Sequence, residues 1–206
     1  MAKPYQKDYL NLIYNQLFCD NPSLYQSAET SANDYPWDII LHQHPSADEL
    51  LRITADTKLE SRIKLLAYRK LQSAGKPVME KILLGVIIEV GLENGLDTLA
   101  AYADGTARLI GHAENLIVWE HPDNESREII AQLFRNGDSV VSRIGPWTGA
   151  RPAFPASGDI RLNFLVADGY YFGQGPFNIL QGDAMGGPVI ESATALFSYL
   201  VNKGLA

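Results

Sequence analysis

In the first third of the chain, apolar residues recur at helical spacing. Tyr5, Tyr9, Leu12, Ile13 and Leu17 form one stripe, and the segment closes at Asp20-Asn21-Pro22, where proline cannot continue a helix, so a helix over about 5–19 is predicted. Residues 21–36, rich in Ser, Asn, Asp and Pro, carry no period and read as a loop. Trp37 to His42 is a short apolar run ahead of Pro45 and reads as an edge strand. Ser46-Ala47-Asp48-Glu49 and Thr57-Lys58-Leu59-Glu60 both match the capping box, in which a hydroxyl and a carboxylate three residues on satisfy orphan backbone donors; a helix is expected after each. The second repeats Leu59, Ile63, Leu66 and Leu71, and ends at Gly75 with Pro77 beyond.

From Lys81 the period changes. Ile82 to Ile88 is nearly continuous and β-branched, the mark of a strand buried on both faces at the centre of a sheet. Leu96 to Ala103 and Thr106 to Ile110 flank Asp104-Gly105, a pair suited to a type I′ hairpin because both residues tolerate positive φ, and Asn115 to Glu120 adds a fourth strand. Asp123 is placed to cap a helix from about 125 to 136, with Gly137 past its end and a strand over Ser139 to Ile144. Ile160 to Val166 and Tyr170 to Phe172 flank Asp168-Gly169, a second hairpin of the same kind, and a last helix opens at Pro188 and runs toward Gly204.

These elements predict an α+β fold: an antiparallel sheet with packed helices and an N-terminal helical segment. Ala103-Asp104-Gly105 recurs as Ala167-Asp168-Gly169, each ahead of a helix, which suggests two strand-strand-helix halves. One domain over 1–206 is expected, with a mainly helical part at 1–75 and a sheet-and-helix core at 81–206. By layout alone this resembles profilin-like and longin-like domains, an analogy that carries no function.

Composition narrows the classes. A chain of 206 residues is long enough to bury a core without staples, and its net charge of -7, with no stripe of Lys and Arg, repels phosphate backbones; nucleic acid is not an expected partner. The single cysteine, Cys19, precludes an intrachain disulfide and cysteine-ligated zinc, and no eighteen-residue apolar window is present. The expectation is a soluble cytoplasmic protein without a cofactor and with no membrane partner.

Several motifs fall short of a chemistry. His112-Ala113-Glu114 resembles the triplet of zinc-dependent nucleobase deaminases, but the two cysteines that complete that site are missing. Gly182-Asp183-Ala184-Met185-Gly186-Gly187-Pro188 resembles the loop that carries the nucleophile of chymotrypsin-like proteases, without the serine. Read as a phosphate cradle, Gly173 to Gly187 lacks the lysine and hydroxyl such loops use. Of the four histidines, His42, His44, His112 and His121, the pair in His42-Gln43-His44 would share one face of a strand and Glu120-His121 could add a carboxylate for a cysteine-free metal site, but Pro45 follows at once and the pair reads as an exposed strand end. No catalytic residue and no metal ligand is assigned.

The segment from Gly145 to Gly158 stands apart, combining Pro146, Pro152 and Pro155 with Trp147, Arg151 and Phe154. Long loops without regular structure are uncommon and often functional, and Trp and Arg are enriched at binding hot spots. Arg143, Trp147, Arg151 and Phe154 are therefore the expected partner-binding residues of a non-catalytic binding or regulatory protein acting on an unidentified protein partner. The alternative is a small-molecule-binding domain or enzyme whose pocket is framed by loops 145–158 and 173–187.

Overall fold

The computed structural model describes residues 2–26, 34–76 and 78–204. The N-terminal part is helical: α1 (Asp8–Leu17), a 3-10 turn (Pro22–Tyr25), α2 (Trp37–Ile40), α3 (Ala47–Ala55) and α4 (Ser61–Ser73). Six strands follow, β1 (Leu83–Leu92), β2 (Gly95–Tyr102), β3 (Ala107–Ile110), β4 (Leu116–Trp119), β5 (Asp159–Val166) and β6 (Gly169–Pro176), with α5 (Asn124–Val141) between β4 and β5, and α6 (Phe177–Gln181) and α7 (Gly186–Gly204) at the end. All neighbours pair antiparallel in the order β4-β3-β2-β1-β5-β6, so β1 is interior and the fold is α+β as the periodicity predicts. The suggested halves are unequal: four strands precede α5 and two precede α7.

The continuous apolar run of β1 has a structural counterpart, because both faces of the sheet are covered. Ile87, Ala100, Tyr102, Ile110 and Leu165 pack with Leu10, Leu17, Leu50 and Leu66 of the N-terminal helices. On the other face Val86, Ile88, Leu99, Leu162 and Phe164 meet Ile130, Leu133, Val189 and Leu196 of α5 and α7. Strand alternation distributes one strand between two separate cores.

Local readings diverge where tertiary contacts replace local chemistry. Ser46 and Glu49 form the predicted capping box at α3. At α4 the cap is not local: Ser61 N donates to Asp104 Oδ2 at 2.7 Å and Asp104 N donates to Ser61 Oγ at 3.1 Å, so the tip of the β2–β3 hairpin closes the helix and Thr57 takes no part. The same Asp104 accepts from Thr106 N and Oγ1, and only Gly105 reaches positive φ, at 90°; a type I′ turn is not formed. At the second hairpin Val166 pairs with Gly169, and neither Asp168 nor Gly169 has positive φ. Glycine is needed there for room, since a Cβ at 169 would lie 2.6 Å from Pro146 Cβ.

Two further expectations are corrected. Trp37 to His42 holds the short helix α2, with Ile39 and Ile40 buried and Trp37 stacked on Tyr25, and is no edge strand. α5 does not stop at Gly137 but runs on to Val141, so no strand forms over 139–144. Gly137 faces the sheet, and a Cβ there would lie 2.9 Å from Leu83 Cδ2; the residue permits close helix-to-sheet approach instead of ending the helix. Pro77, the expected stop beyond α4, and 27–33 of the expected loop lie outside the described residues.

Gly91 at the end of β1 carries the tightest contact, with its Cβ position 2.0 Å from Ala156 O while Gly158 N donates to Gly91 O at 2.9 Å. Backbone lies directly on backbone there. Gly91→Ala is expected to push the 155–158 segment away and to cost about 1–3 kcal/mol, the usual range for overpacking, measured by urea denaturation.

Candidate functional site

The register of β1 with β5 places Glu89 opposite Arg161 and Ile87 opposite Asn163, on the face that α1 covers. Glu89 is 0% exposed and Arg161 1%. Charges at such depth persist only with partners, and those of Glu89 come from α1 and from the neighbouring strand β5. Tyr14 of α1 donates its hydroxyl to Glu89 Oε1 at 2.6 Å, Asn163 Nδ2 donates to Glu89 Oε2 at 3.1 Å, and Arg161 Nη1 lies 3.4 Å from the same oxygen. Tyr170 on β6 donates to Asn163 Oδ1. Burial pushes the Glu89 carboxyl above the ordinary range, against the pull of the Tyr14 hydroxyl and Arg161.

Arg161 also reaches outward. Its Nε donates to Gln174 Oε1 at 2.9 Å, Nη1 to Pro152 O at 3.3 Å and Nη2 to Ala153 O. A side chain rooted in the sheet thus holds the carbonyls of the proline-rich loop. The rest of that loop is fixed along its length: Trp147 N donates to Tyr170 O at 2.7 Å, and Arg151 donates to Asp20 Oδ2 at 2.9 Å and Asn15 Oδ1 at 3.0 Å while its guanidinium lies 3.9 Å above the Phe18 ring.

The four expected contact residues therefore stand differently. Trp147 is 49% exposed, with its edge against Phe172 at 5.4 Å between centroids and its indole N–H on Ala150 O. Phe154 is 39% exposed, and Arg143 is exposed just beyond α5. Arg151 is turned inward and spends its guanidinium on α1 and the segment after it. Sequence reasoning missed Glu89, Arg161 and Asn163, although a lone glutamate in a β-branched run, with Arg and Asn two apart on another strand, is a readable sign of a buried polar pair.

Beside Trp147 opens a cleft of about 320 Å³, with aromatic walls from Phe18, Trp147 and Tyr170 and charged ones from Arg69, Arg151, Asp20 and Asp168. Its volume sits at the lower end of small-ligand pockets. A narrower cleft of about 190 Å³ lies between the sheet and α7, lined by Ile88, Leu99, Phe177 and Phe197, with Asp97 at its border holding His112 Nδ1 at 2.9 Å. Loops 145–158 and 173–187 border different clefts: the first lines the cleft at Trp147, while Phe177 of the second lines the other.

The remaining motifs have structural positions. Glu114, at φ 62° in the β3–β4 turn, accepts from the backbone of Gln6 and Lys7 ahead of α1. Asp183 accepts from Met185 N and Gly186 N, both at 2.8 Å, so the donors at the head of α7 are occupied by the chain's own carboxylate. His42 and His44 are exposed, and among the described residues no group of three His, Cys, Asp or Glu is placed to hold a metal ion. No described helix is long and apolar enough to cross a membrane.

Comparison of the chain with protein-family models, with curated proteins and with solved structures finds no match in any of the three.

Arg161→Met removes the cation and leaves Glu89 buried, a change expected to cost about 3–5 kcal/mol. The loss should grow with pH: a carboxyl whose folded pKa lies above its unfolded value favours the fold while protonated, and that contribution disappears as pH rises through the folded value. Replacing both Glu89 and Arg161 by Met should recover most of the stability. Guanidinium melts at pH 5 and pH 8 measure both effects.

Proposed function

We propose that this chain is a non-catalytic binding or regulatory protein that acts through protein–protein contacts, with the 145–158 loop as its contact surface. The observation that carries the reading is the state of Trp147, half exposed on a loop that is pinned by Arg161, Arg151 and the Tyr170 carbonyl. Ordering a loop on binding costs free energy, and a loop already ordered avoids that cost. Trp147 and Phe154 supply rigid apolar anchors, Arg143 adds an exposed cation, and Arg151 positions the loop without reaching outward.

Trp147→Ala is expected to cost about 1–2 kcal/mol, below the ~3–5 kcal/mol of truncating a fully buried aromatic residue, and to abolish co-purification of a partner from the native host. Retention of the same partner by the folded variant contradicts this surface. A stability loss in the full core range contradicts the view of Trp147 as an anchor.

A further inference from the structure

Arg62, Arg69, Arg108, Arg151 and Arg161 are the arginines withdrawn from free exposure. Four of them have a carboxylate within reach: Glu60 for Arg62, Glu120 for Arg108, Asp20 for Arg151 and Glu89 for Arg161. Arg69 is the exception among the described residues. Its Nη1 donates to Gln72 Oε1 at 3.0 Å and its Nη2 to Gly169 O at 3.1 Å, both neutral acceptors, and its Nε makes no hydrogen bond among the described residues.

The position of Arg69 gives this imbalance a direction. With Gln72 Nε2 donating to Ala167 O at 2.9 Å, α4 clamps the β5–β6 turn on both sides of Asp168, so the guanidinium is held in place. It lines the cleft of about 320 Å³ whose other walls include Phe18, Trp147 and Tyr170, together with Asp20, which Arg151 pairs, and Asp168, whose Oδ2 accepts from the Tyr171 hydroxyl. A fixed guanidinium with unused N–H groups binds a planar carboxylate through paired charge-assisted hydrogen bonds, and the aromatic walls suit an apolar body attached to it.

We infer that the cleft is a carboxylate-binding site, in which Arg69 receives the anionic group of a ligand whose apolar or aromatic body lies against Trp147 and Tyr170. This deepens the contact-surface reading by naming the group received. That carboxylate has two sources, a free organic acid or the acidic end of a partner's chain. Arg69 binds the ligand, and Gln72 is a positioning residue that keeps the guanidinium aimed into the cleft.

The test is isothermal titration calorimetry of the full chain with phenylacetate and N-acetyl-phenylalanine, each against its uncharged amide, and with a short peptide ending in phenylalanine, free or amidated at its C-terminus. At least one acid is expected to bind, with its amide at least tenfold weaker. Binding by the free acids points to an organic acid, and binding by the peptide alone points to a partner's terminus. Arg69→Gln should weaken binding at least tenfold, and Arg69→Lys, which keeps the charge but not the fork, should restore part of it. Equal affinity for acid and amide, or no binding by any acid or by the peptide, overturns the inference, and neither outcome depends on a variant that folds. A partner lost by Trp147→Ala but retained by a folded Arg69→Gln overturns the carboxylate site while leaving the contact surface standing; a carboxylate bound without any protein partner does the reverse.

Discussion

The buried contact between Glu89 and Arg161 ties the architecture together, because each residue answers to a different layer. Glu89 lies on the interior strand and takes the hydroxyl of Tyr14, so α1 is fixed to the sheet through it. Arg161, opposite it in register, extends to the carbonyls of Pro152 and Ala153 and so fixes the loop. Further hydroxyls repeat the first attachment: Tyr5 donates to Thr98 Oγ1 at 2.9 Å and Tyr102 to Leu17 O at 2.8 Å. An apolar core alone holds elements together without fixing their register; these directional bonds specify where α1 lies.

That polar band explains why the two faces of the sheet differ. The sheet residues buried under α5 and α7 are apolar, the buried polar groups on that side being Ser126 and Ser192 of the helices, and Gly137 lets the helix approach closely. The side under the N-terminal helices carries Glu89, Arg161, Asn163, Thr98 and Arg108 among its buried residues. It is also the side on which the proline-rich loop and the Arg69 cleft are built. A loop holds its shape when the residues behind it are locked, and the network at Glu89 supplies that lock.

Much of the fold was legible because period is a local property. The interior strand, both hairpins, the capping box at Ser46 and the helices after 123 and 188 follow from spacing and turn residues. Several misreadings share one cause, a tertiary contact taking the place of local chemistry. Asp104 caps α4 from a hairpin tip, Gly137 gives room where a stop was expected, and Pro146 dictates Gly169. The candidate site was half legible: loop composition singles out Trp147 and Phe154, but only the fold shows that Arg151 turns inward and that Arg69, in a charged helix with ordinary spacing, hydrogen-bonds to neutral acceptors and to no carboxylate among the described residues.

The central claim is that the loop carrying Trp147 is as well ordered as the sheet that anchors it. Native-state hydrogen exchange at the Trp147 and Gly158 amides tests it directly, since these donate to Tyr170 O and Gly91 O. The account predicts protection comparable to the β5–β6 pairing, lost together with that pairing in one cooperative opening. Exchange at rates typical of fraying loops, with β6 still protected, would contradict it.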